Sequence, residues 1–168
     1  MPKGDQRIYV AGHRGLVGSA IVRQLEAAGN DNWIGATRDE LNLCEREAVF
    51  DFMGQQRPTA VIIAAAKVGG IVANNNFPVE FLSENVQVQT NLMDAAHKFD
   101  VEHLVFLGSS CIYPKFAPQP ISEDSLLTGP LEETNEAYAI AKIAGVKLVQ
   151  AYRKEFGRKW TSAMPTNL

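Results

Sequence analysis

The segment Gly12-His13-Arg14-Gly15-Leu16-Val17-Gly18 constrains this chain more than any other. Its three glycines lie between an apolar run, residues 7–11, and a stretch in which Leu16, Val17, Ala20 and Ile21 recur at helical spacing. A glycine loop joining a strand to a helix allows a tight turn and close helix-to-strand packing. It also lets a pyrophosphate approach backbone N–H groups at the positive end of the helix. Such a loop works inside a βαβ unit, so the rest of the chain has to supply a parallel sheet.

The pattern supplies one. Strands are expected over residues 7–11, 33–36, 60–66, 103–107 and 160–163, and helices over 16–28, 44–57, 77–99 and 135–156. The runs 60–66 and 103–107 lack polar alternation, as do strands covered on both faces. Gly29 suits the end of the first helix, Pro58 stops the second, and Pro78 fits the first turn of the third. Residues 67–76, rich in glycine and asparagine, and residues 111–134, with four of the eight prolines, read as loops. The expected fold is therefore α/β: a Rossmann-type doubly wound parallel sheet of order 3-2-1-4-5, with helices on both faces and ligands along the strand C-termini.

At 168 residues this is one domain, expected to bind a dinucleotide over 1–168. Sixteen Lys and Arg against nineteen Asp and Glu give a net charge of -3, which argues against nucleic-acid or anionic-membrane partners. The apolar run 60–66 is too short to span a bilayer, and no secretory apolar stretch opens the chain. Two cysteines, Cys44 and Cys111, make no disulfide framework, so a reducing cytoplasm is expected. The chain stops at Pro165-Thr166-Asn167-Leu168, directly after the last expected strand, and so reads as a fragment.

Chemistry is written in two places. The second strand ends at Thr37-Arg38, where an NAD site usually carries an acidic residue. Arg38 and Arg14 are suited to clamp a 2′-phosphate, which favours NADP(H). Asp39 leaves the NAD alternative open if the strand ends one residue later, and two solvated surface arginines are the plainer alternative. Tyr138 and Lys142 stand four apart on an expected helix and share a face. A ketone reduction needs a proton donor at oxygen, and an ammonium beside a tyrosine would lower its pKa toward usefulness. The fourth strand ends Gly108-Ser109-Ser110-Cys111, placing hydroxyls and a thiol at the ligand edge.

Gly12 to Gly18, Ser109, and Tyr138 with Lys142 resemble the extended short-chain dehydrogenase/reductase family. So do the longer segments Ala64-Ala65-Ala66-Lys67-Val68-Gly69-Gly70-Ile71, Gly108-Ser109-Ser110-Cys111-Ile112-Tyr113-Pro114-Lys115 and Tyr138-Ala139-Ile140-Ala141-Lys142, which are similar to the members that act on GDP-4-keto-6-deoxy-D-mannose. The resemblance implies 3,5-epimerisation of that ketone followed by NADPH-dependent reduction at C4. It makes Tyr138 the proton donor to O4, Lys142 its tuning partner and a ligand of the nicotinamide ribose, and Ser109 the residue that positions the keto oxygen. Cys111 becomes the epimerisation acid/base; without the resemblance it would read as a small buried hydrophobe. The resemblance also implies that Gly12, His13, Arg14, Gly15, Leu16, Val17, Gly18, Arg38, Leu41, Leu107, Gly108, Ser109, Ser110, Lys142, Pro165, Thr166, Asn167 and Leu168 border the cofactor. Residues 67–75 are implied to form a loop near the active site, and no metal is called for. It further implies a homodimer paired through the helices over 77–99 and 135–156. A partner histidine and a C-terminal domain that grips GDP are implied to lie beyond Leu168, so the fragment alone is expected to be inactive. A related nucleotide-sugar 4-epimerase or dehydratase, or a non-catalytic dinucleotide sensor, are the competing readings.

Overall fold

The computed structural model describes residues 6–166. Five parallel strands form one sheet: β1 (Ile8–Ala11), β2 (Trp33–Ile34), β3 (Ala60–Ile63), β4 (His103–Leu107) and β5 (Lys159–Ala163). The helices are α1 (Leu16–Ala27), α2 (Arg46–Gln56), α3 (Ile71–Asn76), α4 (Pro78–Lys98) and α5 (Glu136–Phe156). No helix among the described residues is long and apolar enough to cross a membrane.

The sheet is doubly wound, as expected, but its strands run β2-β1-β3-β4-β5. The order 3-2-1-4-5 would have laid the third strand outside β2; instead β3 pairs with β1, from Ile8 opposite Ala60 to Ala11 opposite Ile63. Two residues of β2 offer too short an edge to template a further strand. The chain turns back after β2 into α2, which carries it past β1. The order therefore reverses between β1 and β3, and a crevice opens above their C-terminal ends.

Right-handed crossovers decide which face each helix covers. Only the first crossover, through α1, runs toward the β2 edge; those through α2, α4 and α5 run the other way. These three share a core with Tyr9, Val61, Ile63, Leu104, Phe106 and Trp160. On the opposite face α1 packs Ile21, Val22 and Leu25 on Ile8, Val10, Trp33 and Ile62. Both faces carry helices, but unequally. Along β4, Leu104 and Phe106 are buried while Val105 and Leu107 stay half-buried.

α4 is the spine of the crowded face, and it carries buried amides where a helix usually carries hydrocarbon. Asn85 accepts from the Lys67 N–H at 2.8 Å and donates to the Lys67 and Phe81 carbonyls at 3.0 and 2.7 Å. Gln89 donates to the Ala141 carbonyl of α5 at 2.7 Å, and Asn91 to the carbonyls of Leu43 and Cys44 at 3.0 and 3.1 Å. Asn85 and Asn91 thereby satisfy backbone groups of Lys67, Leu43 and Cys44, which lie outside helices and strands, while Gln89 ties α4 to α5. Residues 71–76, expected as loop, form α3. Asn74 donates to the carbonyls of Gly69 and Gly70, closing a helix too short for a periodic signal.

Candidate active site

The crevice above β1 and β3 is a cleft of about 810 Å³. The glycine loop forms its floor. Gly12 takes φ +84°, and a Cβ there would lie 2.7 Å from the Ala65 backbone nitrogen. At Gly18 a Cβ would lie 2.1 Å from the Gly12 carbonyl oxygen. These two glycines permit the turn and the close seating of α1 on β1. Gly15 differs: its Cβ would meet only the Gly12 oxygen, at 3.3 Å, and its backbone faces the cleft. Gly15 also heads α1 without a side-chain cap, and the first turn holds no acidic residue. Bare N–H groups and a dipole end are left for an anion, and the volume suits a dinucleotide.

Of the residues expected at the cofactor, Gly12, Gly15, Leu16, Val17, Gly18, Arg38, Leu41, Leu107, Gly108, Ser109, Lys142, Pro165 and Thr166 line this cleft. Asn167 and Leu168 lie outside the described residues. His13, Arg14 and Ser110 do not line it. His13 turns away under β2, its ring occupying the space a Cβ at Gly35 would need and lying 6.0 Å from the Trp33 ring. Arg14 is exposed, and its charge acts on Glu40. Ser110 enters a 3-10 turn, and its N–H donates to the Pro165 carbonyl at 3.2 Å. Arg38 stands at the cleft, Arg14 stands outside its lining with its charge reaching Glu40 of the turn that carries Arg38, and Asp39 is not among the lining residues.

Glu40, which sequence reasoning passed over, sets up that arrangement. Its carboxylate accepts from the Thr37 N–H at 2.7 Å and the Thr37 hydroxyl at 2.8 Å, bonds that hold its pKa below the usual carboxylate range. The turn is closed by Leu41 N–H donating to the Thr37 carbonyl at 2.8 Å. Thr37-Arg38-Asp39-Glu40 is a T-x-x-E pattern, a capping-box signal that was available in the sequence. Cys44 and Glu84 also line the cleft unforeseen, because neither sits in a motif and each arrives by tertiary packing.

The far wall carries the reactive groups. Tyr138 and Lys142 project from α5 into the cleft beside Ser109. Lys142 is 4% exposed and donates to the Leu107 carbonyl at 2.7 Å. Burial lowers its pKa to about 8. The Tyr138 ring meets Phe81 edge-on at 6.5 Å. Its pKa is pushed up to about 12, first by burial and then by Cys111. That is opposite to the expected lowering. The Lys142 ammonium is 5.7 Å from the phenol ring and committed to Leu107, so desolvation outweighs it. At neutral pH Tyr138 is a phenol, the form that donates a proton. Cys111 is half-buried and outside the cleft lining. Burial raises its thiol pKa, while the Ser109 hydroxyl and the Lys142 charge pull it back. The Ser109 oxygen accepts from the Cys111 N–H at 3.4 Å. No group of His, Cys, Asp and Glu among the described residues could hold a metal ion.

Glycine floor, reactive wall and strand reversal all fall within one model of known proteins, the NAD dependent epimerase/dehydratase family, which matches residues 8–168. The chain belongs to this family. GDP-L-fucose synthase of Escherichia coli (strain K12) is 57% identical over 163 residues, covering 97% of this chain and 51% of that protein. GDP-L-fucose synthase 1 of Arabidopsis thaliana is 58% identical over 168 residues, covering 100% of this chain and 52% of that protein. Among solved structures, a GDP-mannoheptose C4 reductase from Campylobacter jejuni with NADP bound superposes with a TM-score of 0.95 at 33% identity, covering 99% of this chain and 52% of that one. The chain spans about half the length of the curated relatives it matches.

Proposed function

We propose that this chain is the NADP(H)-binding and catalytic half of a GDP-L-fucose synthase, which epimerises GDP-4-keto-6-deoxy-D-mannose at C3 and C5 and reduces its 4-keto group to give GDP-L-fucose. The observation that carries the reading is the convergence of Ser109, Tyr138 and Lys142 on the cleft floored by Gly12, Gly15 and Gly18. NADPH, when bound there, supplies the hydride for C4. The glycine-loop backbone and the start of α1 hold the pyrophosphate, and Arg38 holds the 2′-phosphate. Ser109 donates to the keto oxygen and orients it. Tyr138 gives its proton to O4 as charge builds on that oxygen. Lys142 holds the end of β4 through Leu107 and keeps a positive charge beside the phenol, favouring departure of its proton. The carbonyl acidifies the C–H bonds at C3 and C5; Cys111 exchanges a proton with each carbon on one face, and a second acid/base on the opposite face completes the inversion.

The reading extends to a cytoplasmic protein, in keeping with two free thiols. It also includes a homodimer joined by α4 and α5, where Ile140 and Ala144 face outward. A second reading, a C4 reductase that leaves C3 and C5 untouched, is favoured by the raised pKa of Cys111 and its place outside the cleft lining. Deuterium wash-in from heavy water separates the two, using a full-length protein with GDP-4-keto-6-deoxy-D-mannose. Exchange at C3 and C5 that disappears in Cys111→Ser while ketone reduction persists supports the synthase. Reduction without any exchange in the parent supports the reductase.

A further inference from the structure

Across the mouth of the cleft four charged side chains stand in a row. The Arg38 Nη2 is 3.4 Å from Glu84 Oε2, Lys67 Nζ is 3.9 Å from Glu84 Oε1, and the same Nζ is 2.9 Å from Glu80 Oε2. Arg38 follows β2, Lys67 follows β3, and the two glutamates lie one turn apart on α4. Arg38, Lys67 and Glu84 all line the cleft, so the row bridges one rim to the other. The Lys67 backbone is fixed by Asn85, which leaves its side chain as the adjustable part.

We propose that Glu84 is a latch: it holds Arg38 across the cleft mouth until the 2′-phosphate of the cofactor displaces it, and it thereby sets how sharply NADPH is preferred to NADH. The inference rests on the reading of Arg38 as the 2′-phosphate ligand. The Arg38 side chain is 71% exposed and makes a single contact with Glu84, so the pair is weak. A phosphate with nearly two negative charges is a stronger partner for a guanidinium than one carboxylate. A ribose hydroxyl is a weaker one and leaves the latch shut. Glu84 cannot stay beside an arriving phosphate without repulsion. Lys67 stands on its other side and takes it over. Arg38 and Lys67 balance Glu80 and Glu84 in the closed row, and the handover keeps every carboxylate paired.

The test is fluorescence titration of NADPH and NADH against the full chain, at low and high ionic strength. The variants are Glu84→Gln, Arg38→Ala and the two combined. The expected result is that Glu84→Gln tightens NADPH by about two- to fivefold, the span set by an exposed ion pair, and leaves NADH unchanged. The gain should shrink at high salt and vanish when Arg38 is alanine. A gain that persists without Arg38 overturns the latch, since it would mean plain repulsion between Glu84 and phosphate. So does a gain shared by NADH, or none at all while Arg38→Ala still loses NADPH selectively. Equal loss of both cofactors in Arg38→Ala overturns the reading of Arg38 itself, and the latch with it.

Discussion

Gly18→Ala tests how closely α1 must sit on the glycine loop. The added methyl would lie 2.1 Å from the Gly12 oxygen, 2.7 Å from the Gly12 carbonyl carbon and 2.9 Å from the His13 Cα. All three are backbone atoms, so no side chain can rotate out of the way. Relief requires α1 to lift from β1 by more than an ångström at its first turn. A gap of that size forfeits about half or more of the dispersion well at each contact it opens. The contacts at stake are those of Ile21, Val22 and Leu25 on Ile8, Val10 and Ile62. Overpacking plus this loosening should cost about 2–4 kcal/mol, a substantial share of an ordinary domain's stability. For a chain of this size that is a Tm lowered by roughly 4–16 °C. Urea denaturation followed by circular dichroism measures the free energy, and a thermal melt checks it. Gly15→Ala is the control: its methyl meets only the Gly12 oxygen at 3.3 Å, so stability should fall by less than about 1 kcal/mol. Equal stability losses in the two variants, or a Gly18→Ala protein that melts with the parent, would refute the packing argument.

Asn85→Ala should destabilise by about 2–4 kcal/mol, because three hydrogen bonds go and the Lys67 N–H and carbonyl lose their partner. Hydrogen exchange localised to the Lys67 amide would mark the site, and a loss under 1 kcal/mol in urea melts would count against it. Lys142 gives a pH signature. Its folded pKa of about 8 lies below the unfolded value of about 10.4, so the unfolded chain binds more protons between the two. Stability contributed by this group therefore rises as pH climbs from about 8 to 10, and Lys142→Met should flatten that rise. Matching slopes in parent and variant, from denaturation at several pH values, would contradict the buried-ammonium account.

Much of the fold was legible in the chain's punctuation. Gly12, Gly15 and Gly18 between an apolar run and a helical one point to a strand–turn–helix, since the turn at Gly12 and the close approach at Gly18 exclude a side chain. The apolar runs containing β3 and β4 announced a parallel interior, and Tyr138 and Lys142 were placed on one face by helical spacing alone. These are local properties, decided by residues a few positions apart. Strand order is not local: β3 beside β1 depends on how short β2 turned out and on where α2 carries the chain. Pairing partners are chosen by whichever edges are long enough to offer a full ladder.

The same divide runs through the site. Arg14 and Arg38 looked equivalent as sequence neighbours of one phosphate, yet the Thr37–Glu40 turn places Arg38 in the cleft lining while Arg14 stays exposed outside it. The Tyr138 pKa was expected to follow its nearest charge. It follows burial, because Lys142 spends its ammonium on the Leu107 carbonyl of a strand thirty-five positions away. Glu84 reaches Arg38 only because α4 crosses over the β1–β3 crevice. Residue types and their local spacing determined what chemistry this chain can hold. Desolvation and charge pairing, which depend on what folds against each group, were decided only by the tertiary structure.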